Sequence, residues 1–218
     1  ASMAPTGPSK PVRVTSAVVS DVSALRELIR SRFDPAYEAK MLHVVPDWPV
    51  VPDRAAYLER LASGRHVLDI GCAGAISVRI AKAAAVYYGV DRLSGGQQHV
   101  IDLDDEPNRL PFHVDVDLVI ASEFIEHLAN PGRFLHVLGR LYRGVEICLT
   151  VPNAGAYRVS GGREMVNKDH VAWYSYRTLM TLLSRYGYQL HSGQWYHGQP
   201  YRAEGLIVLI RTELNHGA

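Results

Sequence analysis

The chain has 218 residues, of which 47% are apolar and 21% are charged, and this composition excludes a disordered or fibrous protein. Its 23 basic residues nearly balance its 22 acidic residues, so the overall charge carries no electrostatic footprint for nucleic acid. No apolar run reaches the roughly 18 to 20 residues that a membrane span requires, and two cysteines do not make a disulfide framework. We therefore expect one α/β domain in the cytoplasm, with neither a nucleic-acid nor a membrane partner.

The N-terminal part of the chain divides into a tail and two helical patterns. Residues 1–14 are rich in proline, glycine and serine, which predicts a mobile tail. Apolar residues recur at helical spacing in 15–34 and in 52–63. The sequence therefore predicts two N-terminal helices within 15–63, joined by a proline-rich loop at 44–52, at the start of a single domain that spans 15–218.

The core of this domain, residues 64–212, alternates short apolar runs with helical patterns. The predicted strands lie at 66–71, 85–91, 99–101, 116–121 and 144–153, and the predicted helices lie at 75–84, 131–142 and 175–187. This order implies a parallel sheet with right-handed crossovers. Two further strand-like runs near the C-terminus predict an antiparallel hairpin that closes the sheet edge.

A turn of small residues follows the first core strand, in the sequence VLDIGCAGA at 67–75. Small residues let the backbone approach a ligand closely at a helix N-terminus. The spacing departs from the dinucleotide fingerprint G-x-G-x-x-G, because Gly71 and Gly74 are three residues apart. Asp91 ends the next predicted strand, where a carboxylate can accept hydrogen bonds from ribose hydroxyls. Together these features favour a site for a nucleoside ligand over a glycine turn that binds no ligand.

A third acidic segment, IDLDDEPNRLPF at 101–112, follows the third predicted strand. In this place Asp102 could reach an adenine amino group and Leu103 could pack on the ring. The fourth strand then runs into SEFIEH at 122–127, which holds two carboxylates and an imidazole within five residues.

The segments VLDIGCAGA, GVD, DLDDEPNRLPF, DLVIASEFIEHLANPGRFL and LTVPN, in this order, resemble the class I S-adenosylmethionine-dependent methyltransferases. The resemblance covers residues 60–212 and points to the small-molecule enzymes with an EHL motif after the fourth strand. It implies a Rossmann-like α/β fold, in which a seven-stranded, mostly parallel sheet has helices on both faces and an antiparallel C-terminal strand. One departure is GCAGA where the family usually has GCGTG, so that Ala75 replaces the last glycine.

The resemblance implies S-adenosylmethionine as the cofactor and assigns contacts to each part of it. The methionine part would contact Asp69, Gly71, Cys72, Ala73 and Gly74. The ribose would bind Asp91 beside Arg92, the adenine would bind Asp102 and Leu103, and the floor beneath the sulfonium would be Ser122 or Glu123.

The molecule that receives the methyl group, the acceptor, must be positioned by the protein. If its nucleophile is a hydroxyl or an ammonium, a protein group must also remove a proton. His127 is the first candidate for this base, because an unperturbed imidazole titrates near neutrality. The alternative is a partly exposed histidine in the first turn of a helix. We interpret Glu126 either as the orienting partner of His127 or as a residue that complements the helix dipole.

We interpret residues 154–176 as an insertion that overhangs the acceptor. His170 is a candidate second base or hydrogen-bond partner of the substrate. The other candidates for the pocket wall are Trp173, Tyr174 and Tyr176, approached through Gly161 and Gly162. The alternative for the aromatic residues is that they anchor the following helix to the core.

A metal site is the less favoured interpretation of the same residues. Glu123, Glu126 and His127, with a distant His170, resemble the magnesium-site pattern of the small-RNA 3′-terminal 2′-O-methyltransferases. The first three also match the ubiquinone-pathway O-methyltransferases. A divalent metal could hold two vicinal hydroxyls and lower the pKa of one. Against it, the two glutamates also complement a helix dipole, and the sequence shows no further oxygen ligands.

The leading hypothesis is an enzyme that methylates an oxygen or nitrogen of a small polar molecule, such as a sugar or another secondary metabolite. One alternative is an RNA 2′-O-methyltransferase that uses the Glu/His set, although such an enzyme needs a basic groove. Another is a non-catalytic cofactor-binding domain, for which Ala75 is the only support. The sequence leaves open the acceptor molecule, the acceptor atom and the oligomeric state.

Overall fold

The computed structural model describes residues 46–93, 99–111, 115–154, 169–197 and 203–212. All of them belong to one compact unit, Val45–Ala218. The predicted tail at 1–14 and the predicted helix at 15–34 lie outside the described residues, so they stay predictions.

Strands and helices alternate along the described chain. The strands are β1 (Val50–Val51), β2 (His66–Ile70), β3 (Val86–Asp91), β4 (His99–Val100), β5 (Leu118–Ser122), β6 (Glu146–Pro152), β7 (Tyr188–Tyr196) and β8 (Gly205–Thr212). The helices are α1 (Arg54–Ala62), α2 (Ala75–Ala83), α3 (Pro131–Leu141) and α4 (Tyr176–Arg185), with single 3-10 turns at Pro107–Arg109 and Ile125–His127. Within this part of the chain, no helix has both the length and the apolar character that crossing a bilayer requires.

One sheet carries all of these strands, in the order β1-β7-β8-β6-β5-β2-β3-β4. Every neighbouring pair is parallel except the two pairs that involve β8, which runs antiparallel to β6 and β7. The predicted mostly parallel sheet with an antiparallel C-terminal strand is therefore confirmed. The predicted strand count of seven is wrong, because the described residues contain eight.

The additional strand is β1, which lies inside the loop predicted at 44–52. Its two residues pair in parallel with Trp195 and Tyr196 of β7. A two-residue strand between prolines shows no periodicity, so the sequence does not reveal it. The predicted antiparallel hairpin occurs as β7 and β8. The prediction that it closes the edge of the sheet is wrong, because β1 lies beyond β7.

Side-chain caps explain where three helices begin. Asp53 accepts a hydrogen bond from the Ala56 N–H at 3.0 Å at the start of α1. Asn130 does the same for the Arg133 N–H at 2.9 Å, and Pro131 occupies the first position of α3. Ser175 forms a reciprocal capping box with Thr178 at the start of α4.

The apolar core lies on both faces of the sheet. Alternate residues of a strand point to opposite faces, so Leu68 of β2 joins one cluster and Val67 joins the other. α3 and α4 cover the first face, whereas α1 and α2 cover the second. The expectation of helices on both faces is therefore confirmed.

The chain order places a topological switch beside β2. β3 and β4 follow on one side of β2, and β5 then lies on its other side. In open α/β sheets, ligands bind outside the carboxyl ends of the strands at such a point. The turns after β2, β3 and β5 are therefore where a site is expected.

Asp69 is a buried carboxyl in the middle of this sheet, with 1% of its surface exposed. The Tyr87 hydroxyl donates a hydrogen bond to it at 2.9 Å. Burial raises the pKa of Asp69 to about 6; hydrogen bonds from Ser77 and Tyr87 oppose the rise, and the Asp91 charge adds to it. Folding therefore extends the pH range in which this carboxyl is mostly neutral from about 4 to about 6.

This shift predicts a pH-dependent contribution to the free energy of unfolding. Because the folded pKa lies above the unfolded value of 3.8, the contribution is complete below pH ~4 and is lost as the pH rises through about 6. Asp69→Asn removes the titration. We expect its unfolding free energy, relative to the natural chain, to rise by about 2 kcal/mol from pH 4 to pH 7. Urea unfolding at both pH values measures the difference, and a constant difference would contradict the buried neutral carboxyl.

Candidate active site

A cleft of about 220 Å³ opens at the carboxyl ends of β2, β3 and β5. The described residues that line it are Gly71, Asp91, Arg92, Asp102, Leu103, Asp104, Glu123, Phe124, His127, Leu128 and Asp169. The structure thus brings together residues from four sequence segments that we predicted to hold one ligand. Of the other predicted cofactor residues, Cys72, Ala73 and Gly74 belong to the turn after Gly71, and Asp69 and Ser122 lie in the strands behind the cleft.

Gly71 begins the turn after β2 with a φ of 79°, in the left-handed region that favours glycine. A Cβ at this position would lie 2.7 Å from Cδ2 of Phe124. The Gly71 N–H donates to the Val90 carbonyl at 2.8 Å, which holds the turn against β3. Glycine is therefore required here both for the conformation and for the approach of Phe124.

Asp91 ties this turn to the end of β3. Its two carboxylate oxygens accept the N–H groups of Ala73 and Leu93, each at 2.9 Å. Each oxygen keeps a further lone pair, and the side chain lines the cleft. Asp91 can therefore hold the turn and accept hydrogen bonds from a diol.

Cys72 lies in the same turn, half-buried against β3. Burial and the charges of Asp69 and Asp91 raise the pKa of its thiol to about 11, so it stays protonated near neutral pH. A Cβ at Gly89 would lie 2.9 Å from the sulfur. The Cys72 side chain therefore packs the turn against β3.

Asp104 is a lining residue that the sequence did not single out. Its Oδ1 accepts the Ala129 N–H at 2.8 Å and the Asn130 N–H at 3.4 Å. The Asp104 N–H in turn donates to Asp102 at 3.0 Å. The segment beside the predicted adenine position is thereby joined to the start of α3. The three acidic residues within 102–105 are the only sequence feature that indicates this contact with α3.

Glu123 follows β5 with a φ of 52°, a conformation that costs about 1 to 3 kcal/mol for a residue other than glycine. Its Oε1 lies 2.8 Å from Nη1 of Arg54 and accepts the Tyr196 hydroxyl at 2.6 Å. Its backbone N–H donates to both oxygens of Thr150. The preceding Ser122 also bonds to Thr150, at 3.0 Å.

Glu126 lies in the 3-10 turn Ile125–His127, so SEFIEH is not the first turn of a long helix and α3 begins only at Pro131. The carboxylate is 1% exposed, and no described residue offers a hydrogen bond to either oxygen. Burial, followed by the Glu123 charge, raises the pKa of Glu126 to about 8. Glu126 therefore does not orient His127 through a hydrogen bond, which corrects one of our two interpretations.

Asp169 orients His127 instead. Nδ1 of His127 lies 3.1 Å from the Asp169 carbonyl oxygen. A carbonyl only accepts, so Nδ1 carries a proton, and Nε2 is the ring nitrogen that can offer a lone pair. The segment that supplies this carbonyl is held in turn by the Glu126 carbonyl, which accepts the N–H groups of Val171 and Ala172 at 2.8 and 3.0 Å.

His170 lies beside His127, with ring centroids 4.7 Å apart and planes nearly perpendicular. Burial, and then the neighbouring His127, lower the pKa of His170, so its neutral ring is favoured. The ring of Trp173 packs 5.4 Å from that of His170.

One ligand atom each of Glu126, His127 and His170 lies within 4.8 Å of the others. A buried carboxyl group without a hydrogen-bond partner and two imidazoles fit a divalent transition-metal ion. Glu123, the fourth residue of the predicted pattern, is not in this cluster.

The aromatic residues of the predicted acceptor segment differ in their environment. Trp173 is 38% exposed, whereas Tyr174 is buried. Tyr176 packs edge-on against Trp48, with ring centroids 5.0 Å apart. Tyr174 and Tyr176 therefore anchor α4 to the core, as in the alternative interpretation. Gly161 and Gly162 lie outside the described residues.

Comparison with known proteins gives one family match. A family model described as a methyltransferase domain matches residues 32–192. The ubiquinone biosynthesis O-methyltransferase of Coxiella burnetii (strain Dugway 5J108-111) is 25% identical over 130 residues, which cover 53% of this chain and 53% of that protein. The chain thus spans about half the length of this curated relative.

Solved structures share the fold. A SAM-dependent methyltransferase from Archaeoglobus fulgidus superposes with a TM-score of 0.57 at 17% identity, over 72% of this chain and 92% of that one. The small RNA methyltransferase HEN1 gives a TM-score of 0.59 at 18% identity, over 73% of this chain and 25% of that one. The chain therefore belongs to the methyltransferase domain family, and it has the Rossmann-like fold of the class I S-adenosylmethionine-dependent methyltransferases.

Proposed function

We propose that this chain transfers a methyl group from S-adenosylmethionine to a hydroxyl oxygen of a small polar molecule. The observation that carries the proposal is one cleft with the Asp91 carboxylate and the His127 imidazole in its walls, the Nδ1 of His127 lying 3.1 Å from the Asp169 carbonyl oxygen. The name of the Coxiella relative, an O-methyltransferase, supports oxygen over nitrogen as the acceptor atom. The family match supports the reaction class.

When bound, S-adenosylmethionine supplies a methyl group that its sulfonium already activates, so the chain mainly binds, orients and excludes water. Asp91 accepts hydrogen bonds from the ribose hydroxyls. Asp102 and Leu103 hold the adenine, and the turn at Gly71 leaves room for the methionine part. These roles are proposals that follow the family resemblance and the lining of the cleft.

His127 is the proposed base for the acceptor hydroxyl. The Asp169 carbonyl keeps the proton on Nδ1, so Nε2 is free to take the proton as the new C–O bond forms. His170, whose lowered pKa keeps it neutral, is the proposed hydrogen-bond partner of the acceptor.

The cluster of Glu126, His127 and His170 also fits a divalent cation, and this observation favours a metal-assisted form of the same reaction. A bound cation would supply Lewis acidity that lowers the pKa of the acceptor hydroxyl. In that form Glu126, His127 and His170 would hold the ion, and the three side chains would orient the acceptor. A small acceptor stays preferred over RNA, because the chain has 23 basic against 22 acidic residues.

Turnover on a panel of catechols, phenols and sugars with radiolabelled S-adenosylmethionine tests the proposed function. We expect methylation of at least one hydroxylated compound. Tight binding of S-adenosylhomocysteine with no transfer to any member would instead support a non-catalytic domain.

Asp91→Ala should weaken binding of S-adenosylhomocysteine by about 1 to 3 kcal/mol, because charge-assisted hydrogen bonds to the ribose are lost. Isothermal titration calorimetry gives the dissociation constant. Asp105→Ala is the control, since this exposed carboxylate lies nearby and does not line the cleft. Equal affinities for both variants would remove the ribose assignment.

His127→Gln should lower kcat about 10²- to 10⁴-fold on an accepted substrate, because the base is lost while the side-chain size is nearly kept. The affinity for S-adenosylhomocysteine should stay within about threefold, since the imidazole faces the acceptor rather than the ribose. His136→Gln, at an exposed position of α3, controls for a loss of histidine. An unchanged kcat would exclude His127 from proton transfer.

A further inference from the structure

We infer that Arg54 is a positioning residue that holds Glu123 away from the cluster of Glu126, His127 and His170. The cluster then binds a cation through three protein groups and keeps coordination positions open for the acceptor oxygen. This inference rests on the metal-assisted form of the proposed function. It assigns a role to a residue of α1 that the sequence pattern did not point to.

The first support is the number of donors on one carboxylate oxygen. Oε1 of Glu123 lies 2.8 Å from Arg54 Nη1, 2.6 Å from the Tyr196 hydroxyl and 3.3 Å from the Thr150 hydroxyl. Burial, followed by the Glu123 charge, raises the pKa of Tyr196, so its hydroxyl stays a donor. Hydrogen bonds to an ionised group are stronger than neutral ones, so moving this carboxylate to a cation would break the strongest bonds around it.

The second support is how the two donors are fixed in place. Arg54 is the first residue of α1, and its guanidinium lies over the Tyr196 ring, 5.0 Å from the centroid. Tyr196 is buried and ends β7, which pairs with β1 just before α1. The β1–α1 segment and β7 therefore deliver Arg54 and Tyr196 to Glu123 as one packed unit.

The third support is the number of protein ligands that the cluster keeps once Glu123 is paired with Arg54. Arg54 pairs with Glu123, so Glu126 is the one carboxyl group among the three residues of the cluster. Catalytic metal sites commonly use three protein ligands and keep a position open, and two imidazoles with one carboxylate suit a transition metal. A fourth protein ligand at Glu123 would occupy a position that the acceptor needs.

The test is Mn²⁺ binding to the full chain, measured by calorimetry without cofactor or acceptor. The key variant is the charge-matched pair Arg54→Met/Glu123→Gln, which removes one positive and one negative charge together. We expect its Mn²⁺ dissociation constant to stay within about twofold of the natural chain. Arg54→Met alone should bind Mn²⁺ at least fivefold more tightly, because Glu123 is then released to join the cluster.

Two further variants keep the result interpretable. Glu126→Gln should weaken Mn²⁺ binding at least tenfold, which identifies the site of binding. Tyr196→Phe removes the second donor while keeping the ring, and it should strengthen binding in the same direction as Arg54→Met. Binding of S-adenosylhomocysteine by each variant shows that it is folded.

Three outcomes would overturn the inference. A tenfold or greater loss in the charge-matched pair would show that Glu123 is itself a ligand, and no gain in Arg54→Met would show that Arg54 does not withhold it. Absence of Mn²⁺ binding by the natural chain would remove the cation site. In each case the proposed function is tested separately, by measuring methyl transfer in the presence of excess chelator. It stands if turnover persists and if Asp91→Ala still weakens binding of the cofactor.

Discussion

The parallel pairing of β2 with β5 is the constraint on which the rest of the site depends. Their register places Ile70 beside Ala121, so the turn after β2 and the turn after β5 leave the sheet side by side. Phe124 then lies where a side chain at Gly71 would be, and Glu123 turns toward β6 through its left-handed backbone. Both strands are buried on both faces, and a slip of one residue would exchange their core faces.

Three carboxyl groups near the carboxyl ends of β2 and β5 are stabilised in three different ways. Asp69 is buried, which raises its pKa to about 6 although hydroxyl donors surround it. Glu123 is ionically paired with Arg54. Glu126 is buried with no partner among the described residues, which is costly unless a ligand or a proton compensates its charge. Only the third carboxylate is available for an added group, which is why we assign the chemistry to Glu126 and its histidine neighbours.

Much of the fold could be predicted because the strands are short continuous apolar runs and the helices have recognisable caps. The predicted helix at 131–142 occurs as Pro131–Leu141 behind its Asn130 cap, and the predicted strand at 116–121 occurs as Leu118–Ser122. By contrast, β1 is too short for a periodic signal. The first helical turn that was the alternative interpretation of SEFIEH is instead a single 3-10 turn, because local residue preferences do not distinguish one turn of helix from several.

The sequence by itself determined the resemblance to a methyltransferase family, the succession of strands and helices along the chain and the residues at the carboxyl ends of the strands, because these are local features of the sequence. Only the tertiary structure decided which of those residues work together. Arg54 and Tyr196 reach Glu123 from 69 and 73 residues away, and Asp169 fixes the tautomer of His127 from 42 residues away. Such pairings arise from strand order and helix packing, which bring distant residues together without leaving a local signal in the sequence.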